Sequence, residues 1–106
     1  MKLEIGYSNY GEANLADEGV NLGIDQKPLK GECPFPQVQG LLEALPLRSE
    51  TIDEVIISNV IPDLVTWESG MPEIMRVLKV GGVAFVRYFY RSGVRTYRAK
   101  RIASSD

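Results

Sequence analysis

Apolar residues along this chain fall into five short runs, each with the length and spacing of a β-strand. The runs cover residues 3–5, 20–25, 37–40, 54–58 and 83–90. The fourth is the clearest, because its unbroken β-branched core is typical of a strand that is buried on both faces of a parallel sheet. Connections of a dozen or more residues between such strands are typical of parallel pairing. The pattern therefore predicts an α/β fold.

One convincing helix is predicted, over residues 71–79, with Ser69 or Gly70 near its start. Its proline suits the first turn of a helix, where no amide donor is needed. Ile74, Val77 and Leu78 follow the i, i+3, i+4 spacing and form one apolar face. The glycine pair at 81–82 is expected to end the helix.

The remaining segments give weaker signals. Residues 27–36 contain three prolines and are expected to form an extended loop. Residues 59–70 are expected to form only a turn of helix. The last dozen residues predict either a hairpin partner for the final strand or a frayed tail, and the pattern leaves both open.

Composition is that of an ordinary globular protein. The 106 residues are 44% hydrophobic and 25% charged, which fits one domain over residues 1–106. No apolar run approaches the ~20 residues that a membrane-spanning helix needs, so no membrane association is expected. A cytoplasmic location is the corresponding prediction.

Two residue types limit the chemistry. The chain has no histidine, which excludes Ser-His-Asp and Cys-His catalysis and imidazole-bound zinc. Cys33 is its one cysteine, so neither an internal disulfide nor a thiolate metal cluster can form. No metal site is expected, and any proton transfer must use a carboxylate, a tyrosine, a lysine or the substrate.

Charge is unevenly distributed. Of the 14 acidic residues, 13 lie in residues 1–73, whereas 8 of the 12 basic residues lie in residues 74–106. The basic C-terminal segment, residues 87–106, is either a solvated tail or a surface for an anionic substrate or nucleic acid. The basic residues proposed for that surface are Arg87, Arg91, Arg95, Arg98, Lys100 and Arg101.

Residues 43–86 carry three elements in order: ALPL, IDEVIISNVIPDL and EIMRVLKVGG. Together they resemble the second half of a class I S-adenosylmethionine-dependent methyltransferase of the type 11-like group. The resemblance implies a Rossmann-like, mostly parallel sheet with S-adenosylmethionine as cofactor. Because the chain starts at the first strand and ends soon after the fifth, we expect a minimal version with about five strands and few helices.

The same resemblance assigns the cofactor site. LEIGYS matches the family's acid-x-Gly-x-Gly loop, with a serine in place of the second glycine, so the loop is degenerate. Asp25 stands where the family binds the ribose hydroxyls, although it could instead simply cap a turn. Asn59 stands near the reaction site and could instead cap a helix. The implied cofactor-binding residues are Glu4, Gly6, Tyr7, Ser8, Asp25, Leu42, Glu43 and Asn59, and no catalytic residue is identified.

The resemblance favours a methyltransferase, or a subunit of one, with an unidentified acceptor. The alternatives are an inactive methyltransferase-like module that binds nucleic acid or a protein through its basic segment, and a purely structural subunit. One helix cannot cover both faces of a sheet that is apolar on both sides. We therefore expect a homodimer or a larger oligomer, formed through the exposed sheet or its edge.

Overall fold

The computed structural model describes residues 1–6, 19–27, 33–58, 64–90 and 93–103, and the structural statements below concern these residues. They form one sheet and one helix. The strands are β1 (Lys2–Ile5), β2 (Leu22–Asp25), β3 (Gln37–Gln39), β4 (Ile52–Ser58), β5 (Leu78–Tyr90) and β6 (Gly93–Lys100), and the helix is α1 (Leu64–Val77).

The strands form a six-stranded sheet in the order β3-β2-β1-β4-β5-β6. The first five run parallel and β6 pairs antiparallel with β5. The predicted α/β, mostly parallel architecture is confirmed. The sheet has six strands rather than about five because the end of the chain is a hairpin partner, paired with β5 from Val83↔Lys100 to Tyr90↔Gly93.

One face of the sheet holds the apolar core. Leu3, Val55 and Ala84 lie in register on three neighbouring strands and are fully buried. Ile74 and Val77 of α1 belong to the same cluster. Burying each such side chain stabilises the fold by about 1.5–3 kcal/mol, so this face positions the helix.

The opposite face, which we call the second face, is mixed rather than apolar in its described part. Glu4, Ile56, Phe85 and Arg98 lie in one row across β1, β4, β5 and β6. Glu54 lies on this face as well. The expectation that the strands are apolar on both sides is therefore wrong here, because charged residues share this face with apolar ones.

Helix α1 differs from its predicted bounds. It begins at Leu64, well before the expected start, and contains Pro72 in its interior. Proline removes one amide donor from a helix. Here the burial of Ile74 and Val77 in the core outweighs the loss of that hydrogen bond. Since β5 begins at Leu78, the helix ends at Val77 and not near residue 79.

The glycine pair at 81–82 serves a bulge in β5 instead of ending the helix. Ile52 pairs with Leu78 but Glu54 pairs with Val83, so β5 contains extra residues at this point. Gly81 has φ +88°, and a Cβ on Gly82 would lie 2.8 Å from the Lys79 carbonyl oxygen. Both positions therefore require glycine.

Salt bridges tie together the amino edge of the parallel strands. The N-terminal ammonium and Lys79 both pair with Asp53, which lowers the pKa of that carboxyl.

Within the described residues, α1 lacks the length and apolar character needed to cross a membrane.

Candidate functional site

The carboxyl ends of β1 to β4 meet at one edge of the sheet, because these strands are parallel. From β1 the chain proceeds outward to β2 and β3, and then returns to place β4 on the other side of β1. The direction of winding thus reverses between β1 and β4, where Ile5 pairs with Ile57. In open α/β sheets, ligands bind in the crevice outside the strand ends at such a reversal.

Gly6 lies at this reversal, immediately after β1. Its φ is +78°, a left-handed conformation that favours glycine. Its N–H donates to the carbonyl of Ile24 across 3.0 Å, which fixes the turn against β2. The backbone at the end of β1 therefore has no Cβ to keep a ligand away.

Asp25 lies beside Gly6, at the end of β2. Its side chain is 7% exposed, and Oδ1 accepts a hydrogen bond from the Lys27 amide at 2.9 Å. Its carbonyl accepts from the Gly40 amide at 3.0 Å, which joins it to the end of β3. The carboxylate thus caps a local turn, which is the alternative role that the sequence left open for Asp25. It also lies next to the turn at Gly6.

Leu42 and Glu43 form the tip of a tight turn after β3. The Ala44 amide donates to the Leu41 carbonyl at 3.1 Å and closes the turn. Leu42 is 5% exposed and belongs to the core, where it packs against Gly70 of α1. Its side chain therefore packs in the core, and its predicted cofactor contact stays a prediction from the sequence. Glu43 is partly exposed.

Three predicted site residues lie outside the described residues: Tyr7, Ser8 and Asn59. Arg91 of the predicted basic surface does as well. Their roles remain predictions from the sequence.

Two members of the predicted basic surface make internal contacts. Arg101 is 5% exposed, pairs with Glu50 and donates to the carbonyl of Leu78. Arg87 pairs with the buried Glu4, with 3.4 Å between Nη2 and Oε1. The inclusion of Arg101 in an exposed surface is therefore wrong, because its guanidinium is buried and bonded inside the fold. Arg87 is partly exposed, and its place in the basic surface stays a prediction. Arg98 and Lys100 are exposed.

Sequence reasoning did not find the contact between α1 and the ALPL loop. Glu73 accepts a hydrogen bond from the Leu45 amide at 2.9 Å, and Arg76 donates to the Leu45 carbonyl at 3.0 Å. Arg76 also pairs with Glu73, which lowers the pKa of Glu73 and raises that of Arg76. The joint presence of ALPL and EIMR in the family pattern was the signal that could have found this contact.

The site can now be compared with known proteins. A profile of the methyltransferase domain family matches residues 8–86, about three quarters of the sequence. The chain belongs to this family. The recognised resemblance is therefore confirmed. No curated protein sequence matches the chain significantly.

Solved structures show the same fold. A chain of the complex between the Haloferax volcanii Trm112 methyltransferase activator and a methyltransferase is 18% identical, with a TM-score of 0.62; 86% of this chain and 46% of that one are covered. A SAM-dependent methyltransferase from Thermotoga maritima is 20% identical, with a TM-score of 0.62 and coverages of 85% and 44%. A protein from Pyrococcus horikoshii is 15% identical, with a TM-score of 0.65 and coverages of 98% and 66%. The chain spans about half the length of the first two and two thirds of the third.

The cofactor of this family is S-adenosylmethionine. The residues present fit such a group in two respects. Gly6 offers a left-handed turn with no Cβ, which suits close approach of the backbone, and Asp25 offers a carboxylate that can accept hydrogen bonds from two vicinal hydroxyls. Gly6 lies at the winding reversal, where the fold favours ligand binding, and Asp25 lies beside it at the end of β2.

Proposed function

We propose that this chain binds S-adenosylmethionine at the carboxyl edge of its sheet and acts as a methyltransferase, or as a subunit of one. The observation that carries the proposal is the placement of Gly6 at the winding reversal, with Asp25 beside it at the end of β2. Family membership supports the same cofactor. The methyl acceptor is left open.

Each proposed site residue has a distinct role. Asp25 accepts hydrogen bonds from the ribose hydroxyls, and Gly6 lets the main chain approach the amino acid part of the cofactor. Tyr7 and Ser8 continue that loop. The turn at Leu42 and Glu43 borders the adenine, and Asn59 borders the methyl group. These assignments follow the family pattern and agree with the positions of Gly6, Asp25 and the turn after β3.

Positioning is the main contribution that the protein can make to this reaction. The sulfonium of the bound cofactor supplies an already activated methyl donor. The chain has no histidine to act as a base. Its residues therefore need to hold the acceptor in line with the methyl group and exclude water, which are effects that can supply a large share of the rate.

Calorimetric titration of the purified chain with S-adenosylmethionine and S-adenosylhomocysteine tests the proposal. We expect dissociation constants in the micromolar range for both ligands, with ATP as the control that does not bind. The absence of heat at millimolar concentration of either ligand would contradict the proposal.

We further propose that the chain forms a homodimer and works in the cytoplasm. Exposed apolar side chains at the β3 edge support the dimer, because Val38 is on the outermost strand and Leu41 lies just beyond it. Light scattering coupled to size exclusion should give twice the 11.8 kDa of one chain. A mass of 11.8 kDa at high micromolar concentration would contradict the dimer.

A further inference from the structure

An ion pair between a buried carboxylate and a partly exposed guanidinium lies on the second face, next to the proposed cofactor site. Glu4 of β1 is fully buried, and Arg87 of β5 is 21% exposed at its side chain. The two strands are not neighbours, because β4 lies between them. The pair therefore bridges β4 across the second face, on which Ile56 also lies.

The position of this pair relates it to the ligand edge. Glu4 precedes Gly6 by two residues, on the strand that ends in the glycine turn. Arg87 pairs in register with Ser58, which lies one residue beyond the Ile5↔Ile57 pair. The guanidinium thus extends from the carboxyl edge of β5 toward the strand that carries the turn.

A buried carboxylate needs compensation to remain ionised. Burial without a counter-charge raises the pKa of an acid, and removing one partner of a buried pair is costly. Other charged groups share the second face: Lys2 on β1, Asp25 on β2, Glu54 on β4, and Arg98 and Lys100 on β6. Asp25 and Glu54 add negative charge near Glu4. The pairing with Arg87 favours an ionised Glu4 on a face that carries two further acids.

We infer that Arg87 is a positioning residue for the cofactor site. It keeps Glu4 ionised and fixed in position, two residues before Gly6 on β1. It thereby holds the turn at the end of β1 in the conformation that admits the cofactor. The inference rests on the proposed function, since the turn matters to a ligand that binds there. Arg87 acts through Glu4 and needs no contact with the cofactor.

Two variants and one control test this role by titration with S-adenosylhomocysteine at pH 6, 7 and 8. Arg87→Met keeps much of the side-chain volume and removes the charge, and we expect about a tenfold weaker affinity at pH 7. Its affinity should fall further toward pH 6, as Glu4 takes up a proton, while the parent stays flat. Arg87→Lys should restore most of the affinity. Arg98→Met, a loss of charge on the same face, should bind as the parent does.

The carboxyl chemical shift of Glu4 gives a readout without ligand. In ¹³C NMR titrations, the pKa of Glu4 should be higher in Arg87→Met than in the parent. Should Arg87→Met fail to fold, Glu4→Gln, which removes the charge and keeps the shape, should weaken affinity about tenfold at all three pH values.

The outcomes separate the two claims. A parent that does not bind S-adenosylhomocysteine overturns the proposed function and, with it, the role toward the cofactor. A parent that binds, together with an Arg87→Met variant of unchanged affinity and unchanged Glu4 pKa, overturns this inference alone. If Glu4→Gln binds S-adenosylhomocysteine as tightly as the parent does, this inference is likewise overturned.

Discussion

The guanidinium of Arg76 donates a hydrogen bond to the carbonyl oxygen of Leu47 across 2.8 Å, and the two residues lie 29 positions apart in the chain. The same side chain donates to the Leu45 carbonyl, and its partner Glu73 accepts from the Leu45 amide. Helix α1 thus holds the main chain of the ALPL loop. This loop follows the turn that borders the proposed cofactor site.

Replacing Arg76 should therefore destabilise the fold. Arg76→Ala leaves the carbonyls of Leu45 and Leu47 without their donor and Glu73 without its counter-charge. We expect a loss of about 2–3 kcal/mol in the free energy of unfolding, measured by urea denaturation. Arg48→Ala, at an exposed position in the loop after Leu47, should change it by less than ~0.5 kcal/mol. Equal free energies of unfolding for Arg76→Ala and Arg48→Ala would show that the contact between Arg76 and the ALPL loop adds no stability.

The Glu73 carboxylate should make the contribution of this contact depend on pH. Arg76 and the Leu45 amide hold the pKa of Glu73 below its ordinary value of 4.5. A lowered folded-state pKa means that the contribution is full above the unfolded pKa and is lost as the pH falls through the folded one. The stability difference between the parent and Glu73→Gln should thus be largest near neutral pH and shrink below about pH 4. A stability difference that stays constant from pH 7 to 3 would show that the ionisation of Glu73 is not the source of the effect.

Gly70 tests how closely α1 approaches the turn after β3. A Cβ at this position would lie 2.6 Å from Cγ of Leu42, a distance that requires Leu42 to move. Alanine normally favours a helix over glycine by ~1 kcal/mol. We nevertheless expect Gly70→Ala to lower stability by about 1–3 kcal/mol, because overpacking outweighs propensity.

The matching double variant removes the clash. Leu42→Ala alone creates a cavity and should be destabilising, but combining it with Gly70→Ala should cost less than the sum of the single changes. Additive effects in thermal or urea unfolding would mean that the two residues do not pack against each other.

Local sequence signals predicted the sheet better than the helix. The β-branched run at residues 54–58 identified β4, and the alternation at residues 20–25 identified β2, because both signals lie within the strand itself. The bounds of α1 were missed because Pro72 suggested a start where tertiary packing permits an interior position. That packing joins Gly70 to Leu42, which no local pattern contains.

The candidate site divides in the same way. The positions of Gly6 and Asp25 at strand ends could be predicted, since a strand end is a local feature. The pairing of Arg87 with Glu4 could not be predicted, because the two residues lie 83 positions apart in the chain. They come together only in the folded sheet, where a single strand, β4, lies between β1 and β5. A basic segment in the sequence therefore gave no indication that Arg101 is buried or that Arg87 pairs with a buried carboxylate.

Asp25 should contribute strongly to cofactor affinity. Asp25→Ala removes a charge-assisted acceptor for the ribose hydroxyls, and we expect affinity for S-adenosylhomocysteine to fall about 10- to 100-fold, ~1.5–3 kcal/mol. Asp53→Ala is the matched control, because it removes the same group at the opposite edge of the sheet. If Asp25→Ala and the parent bind with equal affinity in calorimetry, then the ribose is held elsewhere.

Amide chemical-shift mapping tests the location of the cofactor site most directly. On titration of the ¹⁵N-labelled chain with S-adenosylmethionine, the amides of Gly6, Lys27 and Gly40 should shift, because they lie at the carboxyl ends of β1, β2 and β3. The amides of Gly81 and Gly82, in the bulge at the amino edge, should stay in place. Shifts confined to the amino edge, or no shifts at millimolar ligand, would contradict a cofactor site at the carboxyl edge.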